Sequence, residues 1–153
     1  MVEKILVPLD GSDHADKALD CALDLAETYS AQIILVSVID VPKLAYITLA
    51  TPLGEPIMPS IHASEYIKEI EDSLKRVLSE AVEKAKKITP YVKVTTVLVE
   101  GRPADKIVEI AKEGKVDVIV MGHRGLSGIT KLLLGSVSNQ VVDEASCSVI
   151  IVK

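Results

Sequence analysis

Five short runs of the chain are almost uniformly apolar: Lys4–Leu9, Gln32–Ile39, Val92–Val99, Val116–Met121 and Ser148–Val152. Ile33-Ile34-Leu35-Val36, Val118-Ile119-Val120-Met121 and Val149-Ile150-Ile151-Val152 show little alternation. A strand that is apolar on both faces has to be covered on both, which predicts a parallel sheet between helical layers. Val92–Val99 differs, because Lys93, Thr95 and Thr96 interrupt it and place it at a sheet edge. Between the runs the apolar period changes to three and four residues. Asp13–Tyr29 carries Ala15, Ala18, Leu19, Ala22, Leu23 and Ala26 on one stripe, with Ser12 or Asp13 to cap its first turn. Ile67, Ile70, Leu74, Val77, Ala81, Ala85 and Ile88 mark a long core-facing second helix, ended by Pro90. Pro103 suits the first turn of a third, which runs to about Glu113 with Gly114 beyond it, and Gly135–Ala145 forms a fourth. The order β-α-β-α-β-α-β-α-β predicts a three-layer α/β/α doubly wound fold with right-handed crossovers.

Val41–His62 breaks the regularity. It holds four of the seven prolines (Pro42, Pro52, Pro56, Pro59) and only two full charges, Lys43 and Glu55. A stretch this long without regular structure is uncommon inside a compact domain and reads either as a lid or partner surface or as an inert mobile loop. The rest, at 153 residues, reads as one domain.

Composition narrows the function. The net charge is −5, so there is no global attraction for nucleic-acid phosphates or anionic membranes. Aromatic residues are 3% with no Phe or Trp, too few for base-stacking platforms. Cys21 and Cys147 form no CxxC pair and sit among apolar residues, as small core side chains do. His14, His62 and His123 are scattered without metal-ligand spacing. Pro8 and Asp10 interrupt any signal-like run, and no stretch approaches a membrane span. The expectation is a soluble, cytoplasmic protein.

In open parallel sheets, ligands bind beyond the carboxyl ends of the strands, where the strand order reverses. The loop after the fourth run reads Met121-Gly122-His123-Arg124-Gly125-Leu126-Ser127-Gly128. Four of the eight glycines fall at Gly122, Gly125, Gly128 and Gly135. Such a loop can aim several backbone N–H groups at one anion. Gly135-Ser136-Val137-Ser138 then opens the fourth helix, whose free N–H groups and positive dipole end favour phosphate. Arg124 and Lys131 add positive charge. Neither GxxxxGK[ST] nor a GxGxxG after the first strand is present, which disfavours a P-loop and a dinucleotide-binding domain.

The spacing is more specific. Gly122-x-x-Gly125, nine residues, then Gly135-Ser136 is the G-2x-G-9x-G-[S/T] pattern of the ATP-binding branch of the universal stress protein family, which the chain resembles along essentially its whole length. Lys4-Ile5-Leu6-Val7-Pro8-Leu9-Asp10-Gly11-Ser12, the Ala18–Ala26 helix, Val36–Asp40, Gly101-Arg102-Pro103 and Ser148–Val152 also resemble it. The resemblance implies a Rossmann-like, adenine-nucleotide alpha-hydrolase-like sheet in the order 3-2-1-4-5, whose reversal lies between strands one and four. It implies that Pro8, Leu9 and Asp10 contact adenine and ribose, that Val38 lines the adenine pocket and that Met121 packs beneath the base. The phosphate grip would be Gly122, His123, Arg124, Gly125, Gly135, Ser136, Val137 and Ser138. ATP, ADP or AMP would bind with Mg²⁺ carried on the phosphates, with Asp10 in reach of the metal; the other reading of Asp10 is a turn carboxylate that caps the next helix. His123 fills a variable position of the pattern and reads either as a ligand-facing imidazole or as a solvent-exposed one.

The implied activity is regulatory: an adenine-nucleotide-binding stress-response protein with slow ATP hydrolysis at most. No catalytic residue is assigned, since fast phosphoryl transfer needs a positioned water or base. The alternative is a nucleotide-using transferase or hydrolase on the same fold, although Pro8-Leu9-Asp10-Gly11-Ser12 is a poor match to the glycine- and serine-rich signature many of those carry. A phosphorelay receiver would need an Asp where Val99-Glu100-Gly101 stands. An exposed apolar edge strand invites pairing. Ser148–Val152 is thus expected, with the family, to form a homodimer, and the nucleotide to shape a surface for an unknown protein partner.

Overall fold

The computed structural model describes residues 1–40, 61–125 and 135–153. Most of the proline-rich segment, and Lys131, lie outside the described residues. Its last two positions are an exception: the second helix begins at Ile61, earlier than its apolar stripe predicts.

The elements run β1 (Lys4–Pro8), α1 (Asp13–Tyr29), β2 (Gln32–Asp40), α2 (Ile61–Ile88), β3 (Val94–Gly101), α3 (Pro103–Glu113), β4 (Val118–Gly122), α4 (Ser136–Glu144) and β5 (Ser148–Val152). All strand pairs are parallel, in the order β3-β2-β1-β4-β5. The expected strand order and edge position of the third strand therefore hold. β3 lies two residues later than its apolar run, because the Val92 N–H is taken by the Thr89 carbonyl in the turn after α2.

The doubly apolar strands are explained by their two faces. Alternate residues Ile5, Val7, Ile33, Leu35, Val118 and Val120 pack under α1 and α2, while Leu6, Val36, Ile119 and Met121 pack under α3 and α4. The predicted stripe of α1 is its buried face in full: Ala15, Ala18, Leu19, Ala22, Leu23 and Ala26. Small residues there let the helix lie close to the sheet. In α2 the expectation of a core-facing stripe holds in full only for Ala81 and Ala85, which Leu78, outside the stripe, joins in the core. Ile67 and Ile88, at the ends of the stripe, are 37% and 48% exposed. The helix is longer than the sheet it covers. Lys84 joins α2 to α1 through Asp16 and Asp20, at 2.9 and 2.6 Å.

Cys21 and Cys147 are unbridged and half-buried, and burial pushes both thiols up, so they are core-edge side chains and poor nucleophiles. Among the described residues no helix is long and apolar enough to cross a membrane, and no group of three or more His, Cys, Asp or Glu side chains is placed to hold a metal.

Candidate functional site

The chain crosses from one side of the sheet to the other between β1 and β4, which are hydrogen-bonded neighbours. Their carboxyl ends therefore open side by side into the crevice that doubly wound sheets use for ligands. The loop after β1 is tied down first. Asp10 Oδ1 accepts from the Ser12 N–H (3.0 Å) and the Ser12 hydroxyl (2.6 Å), and Ser12 Oγ accepts from the Ala15 N–H as the N-cap of α1. Asp10 thus performs the turn-carboxylate role that its position after a strand allows. Its second oxygen does something else. A Cβ built on Gly125 would collide with Asp10 Oδ2, so the two loops meet at this point and glycine is what lets them.

The other motif glycines also have local reasons. At Gly122 a Cβ would lie 2.7 Å from the His14 carbonyl carbon and 2.8 Å from its Cβ and oxygen, so the end of β4 closes directly under the first turn of α1. At Gly135 the nearest atoms are the His123 oxygen at 3.3 Å and the Arg124 Cα at 3.4 Å. The spacing G-2x-G-9x-G brings α1, the β1 loop and α4 against one short stretch of backbone.

His123 is the hub of that stretch. Its N–H donates to the Val152 carbonyl (2.8 Å), and its own carbonyl accepts from the Gly135 N–H (2.8 Å) and the Ser138 hydroxyl (3.1 Å). Ser138 is 2% exposed and also reaches the Gly122 carbonyl at 3.3 Å, so its hydroxyl is committed to holding α4 against the loop. Ser136 is exposed at the first position of α4, and no side chain caps that helix, because Gly135 stands at the N-cap. The first turn of α4 carries no acidic residue, so its backbone N–H groups present a positive dipole end. Val137 packs into the core beneath. The residues present thus fit an anion: an uncapped helix start, a glycine-bearing turn and Arg124.

The remaining predicted contacts sit as follows. Pro8 ends β1 beside Val36. Leu9 is 5% exposed in the α1 face of the core, its N–H given to Val36 and its carbonyl accepting from the buried Ser37 hydroxyl at 2.7 Å. Met121, also 5% exposed, lies on the opposite face, where half-buried Val38 packs too. Leu9 and Met121 are therefore core side chains, one on each face of the sheet.

The sequence offers no signal for one juxtaposition. His14, on α1, meets His123 edge-to-face, with ring centroids 4.2 Å apart and planes at 72°. The Nδ1 atoms of both are buried without a hydrogen-bond partner. Burial, His14, Arg124 and Lys153 hold His123 below the usual imidazole range, against the pull of the Val152 carbonyl.

Comparison with known proteins accords with this architecture. The model of the universal stress protein family matches residues 1–153. Universal stress protein YxiE of Bacillus subtilis is 37% identical over 153 residues, covering 100% of both chains. The solved structure of universal stress protein UspA from Lactobacillus plantarum superposes with a TM-score of 0.82 at 25% identity, covering 99% of this chain and 97% of that one. A universal stress protein solved in complex with cAMP gives a TM-score of 0.68 at 29% identity, covering 99% and 96%. A match over every residue, on the sheet order and crevice just described, leads to one conclusion: the chain belongs to the universal stress protein family.

Proposed function

We propose that the protein binds an adenine nucleotide (ATP, ADP or AMP, with Mg²⁺ on the phosphates) between the loops after β1 and β4, and acts as a nucleotide-dependent regulator in the stress response. The observation that carries this reading is the meeting of Asp10 with Gly125 beside the uncapped start of α4. An acceptor for sugar hydroxyls or metal then lies next to donors for phosphate. Arg124 and Gly125, with Ser136, Val137 and Ser138, would hold the phosphates through backbone N–H groups and the Arg124 charge, while Gly122, His123 and Gly135 would shape the turn, since the His123 and Gly135 N–H groups are given to the Val152 and His123 carbonyls. Asp10 would take ribose hydroxyls or the bound Mg²⁺. Pro8, Leu9, Val38 and Met121 would border the base. A related chain that binds cAMP supports the adenine half of the reading.

The nucleotide supplies negative charge that draws the two loops and α4 together. It can act as a signal only through different affinities for two states of the protein, which a cytoplasmic protein partner would read. Hydrolysis is slow at most, since binding triphosphate does not position an attacking water. The test is mass spectrometry of small molecules released on denaturation, followed by calorimetric titration of the stripped protein with Mg-ATP. An adenine nucleotide in the released fraction and saturable binding are the expected results. No nucleotide and no binding at millimolar Mg-ATP would overturn the reading.

A homodimer through β5 belongs to the same proposal. Every residue of the central strand β4 is buried, whereas Val149, Ile150, Ile151 and Val152 of edge strand β5 remain partly exposed. Pairing edge to edge would cover them and satisfy the free backbone groups. Light scattering at micromolar concentration should give twice the chain mass; a single-chain mass at that concentration would exclude this interface.

A further inference from the structure

The phosphate contacts assigned above leave the His14 and His123 rings unused. Two imidazoles 4.2 Å apart, both with Nδ1 buried and unpartnered, are comfortable only while at least one is neutral. Placing a positive charge on each ring at that distance would be strongly repulsive. The surroundings sharpen this. Arg124 follows His123 in the loop, and Lys153 follows β5, whose Val152 carbonyl binds the His123 N–H. Asp10, against Gly125, is the carboxylate on the β1 side, and Asp13 and Lys17 flank His14 on α1. The first turn of α4 brings Ser136, Val137 and Ser138, none of them charged. The His123 backbone is fixed on both sides by Val152, Gly135 and Ser138.

We propose that this pair makes anion binding at the β4 loop proton-linked: it takes up a proton from solvent when a nucleotide's phosphates bind beside it, so that affinity rises as pH falls. The inference rests on the nucleotide reading above and names how that site is regulated. The only covalent change is a proton moving from solvent to a ring nitrogen. The sign follows from linkage. A polyanion favours the charged imidazole, so the complex holds more protons than its separated parts, and lower pH favours the complex.

The experiment is calorimetric titration of the full chain with Mg-ATP in buffers of different ionisation enthalpy, compared with the His14→Gln/His123→Gln double variant. Protons exchanged by the nucleotide itself are common to both, so the difference isolates the imidazoles. Between about pH 8 and about pH 6 the native protein should gain roughly tenfold more affinity than the variant, the equivalent of one pKa unit on one ring. Imidazole carbon resonances of the native protein give the same answer without any variant. The His123 resonance should titrate at higher pH with Mg-ATP bound than without it. Binding with equal proton uptake in both proteins, or imidazole titrations that Mg-ATP leaves unmoved, would overturn the linkage and leave nucleotide binding standing. No Mg-ATP binding at either pH would overturn both.

Discussion

Gly122→Val will lose about 3 kcal/mol of stability or more, at the upper end of what overpacking a filled site costs. The reason is the short distance from an added Cβ to three atoms of His14, two of which are backbone. A flexible side chain could swing away; the first turn of α1 cannot, because Ser12 caps it and its small residues seat it on the sheet. In a domain of this size each kcal/mol lowers Tm by roughly 2–4 °C, so a fall of about 6–12 °C is expected in ligand-free thermal unfolding. Gly135→Ala is the comparison: its nearest neighbours stand at 3.3–3.4 Å and need give only a few tenths of an ångström. Its loss should be much smaller. A Gly122→Val protein as stable as the native one would show that α1 does not close on β4 as described. The result bears on function. The first motif glycine is required for packing, so a binding defect on its substitution cannot be assigned to the phosphates.

Ser136→Asp separates the two. Ser136 is exposed and opens α4, where a carboxylate meets the positive end of the helix and stabilises it by about 0.3–1 kcal/mol. The fold should therefore be kept or slightly strengthened. The same carboxylate would occupy the anion's place and repel phosphate, so Mg-ATP affinity should fall at least tenfold, about 1.4 kcal/mol. Calorimetry measures the affinity, and denaturant unfolding the stability. Native affinity in a folded Ser136→Asp protein would remove α4 from the phosphate site. Ser138 would not serve for this test, because its buried hydroxyl already holds the Gly122 and His123 carbonyls. Its removal would leave buried carbonyls unsatisfied and disturb the fold along with the site.

Sequence and structure agree closely where a pattern repeats. The α1 stripe is the buried face of α1 residue for residue, since a helix seated on a sheet must repeat its apolar contacts every three or four residues. Agreement weakens where the pattern outlasts its partner. The α2 stripe runs past the sheet, and periodicity does not report what stands opposite. Strand ends shift by two residues at β3 because turn hydrogen bonds, not hydropathy, decide where a ladder begins.

The candidate site divides in the same way. The glycine spacing marks the backbone stretch that gathers α1, the β1 loop and α4, and it points to Asp10, Ser136 and Ser138. It does not tell the exposed serine from the buried one, since both lie in the first turn of one helix and only the packing of β4 beneath decides which faces water. It is equally silent on His14, which no motif joins to His123.

From the residues alone follow the layer architecture, the covered strands, the bounds of α1 and α3 and the family. All are local or periodic, and period and spacing are preserved in a linear string. Three things came only from the tertiary structure: the collision that makes Gly122 a packing residue, the Asp10–Gly125 meeting of two loops, and the facing imidazoles. Each is a contact between positions far apart in the chain. Such contacts depend on how the crossover from β3 to β4 brings β4 beside β1, a placement no single segment encodes.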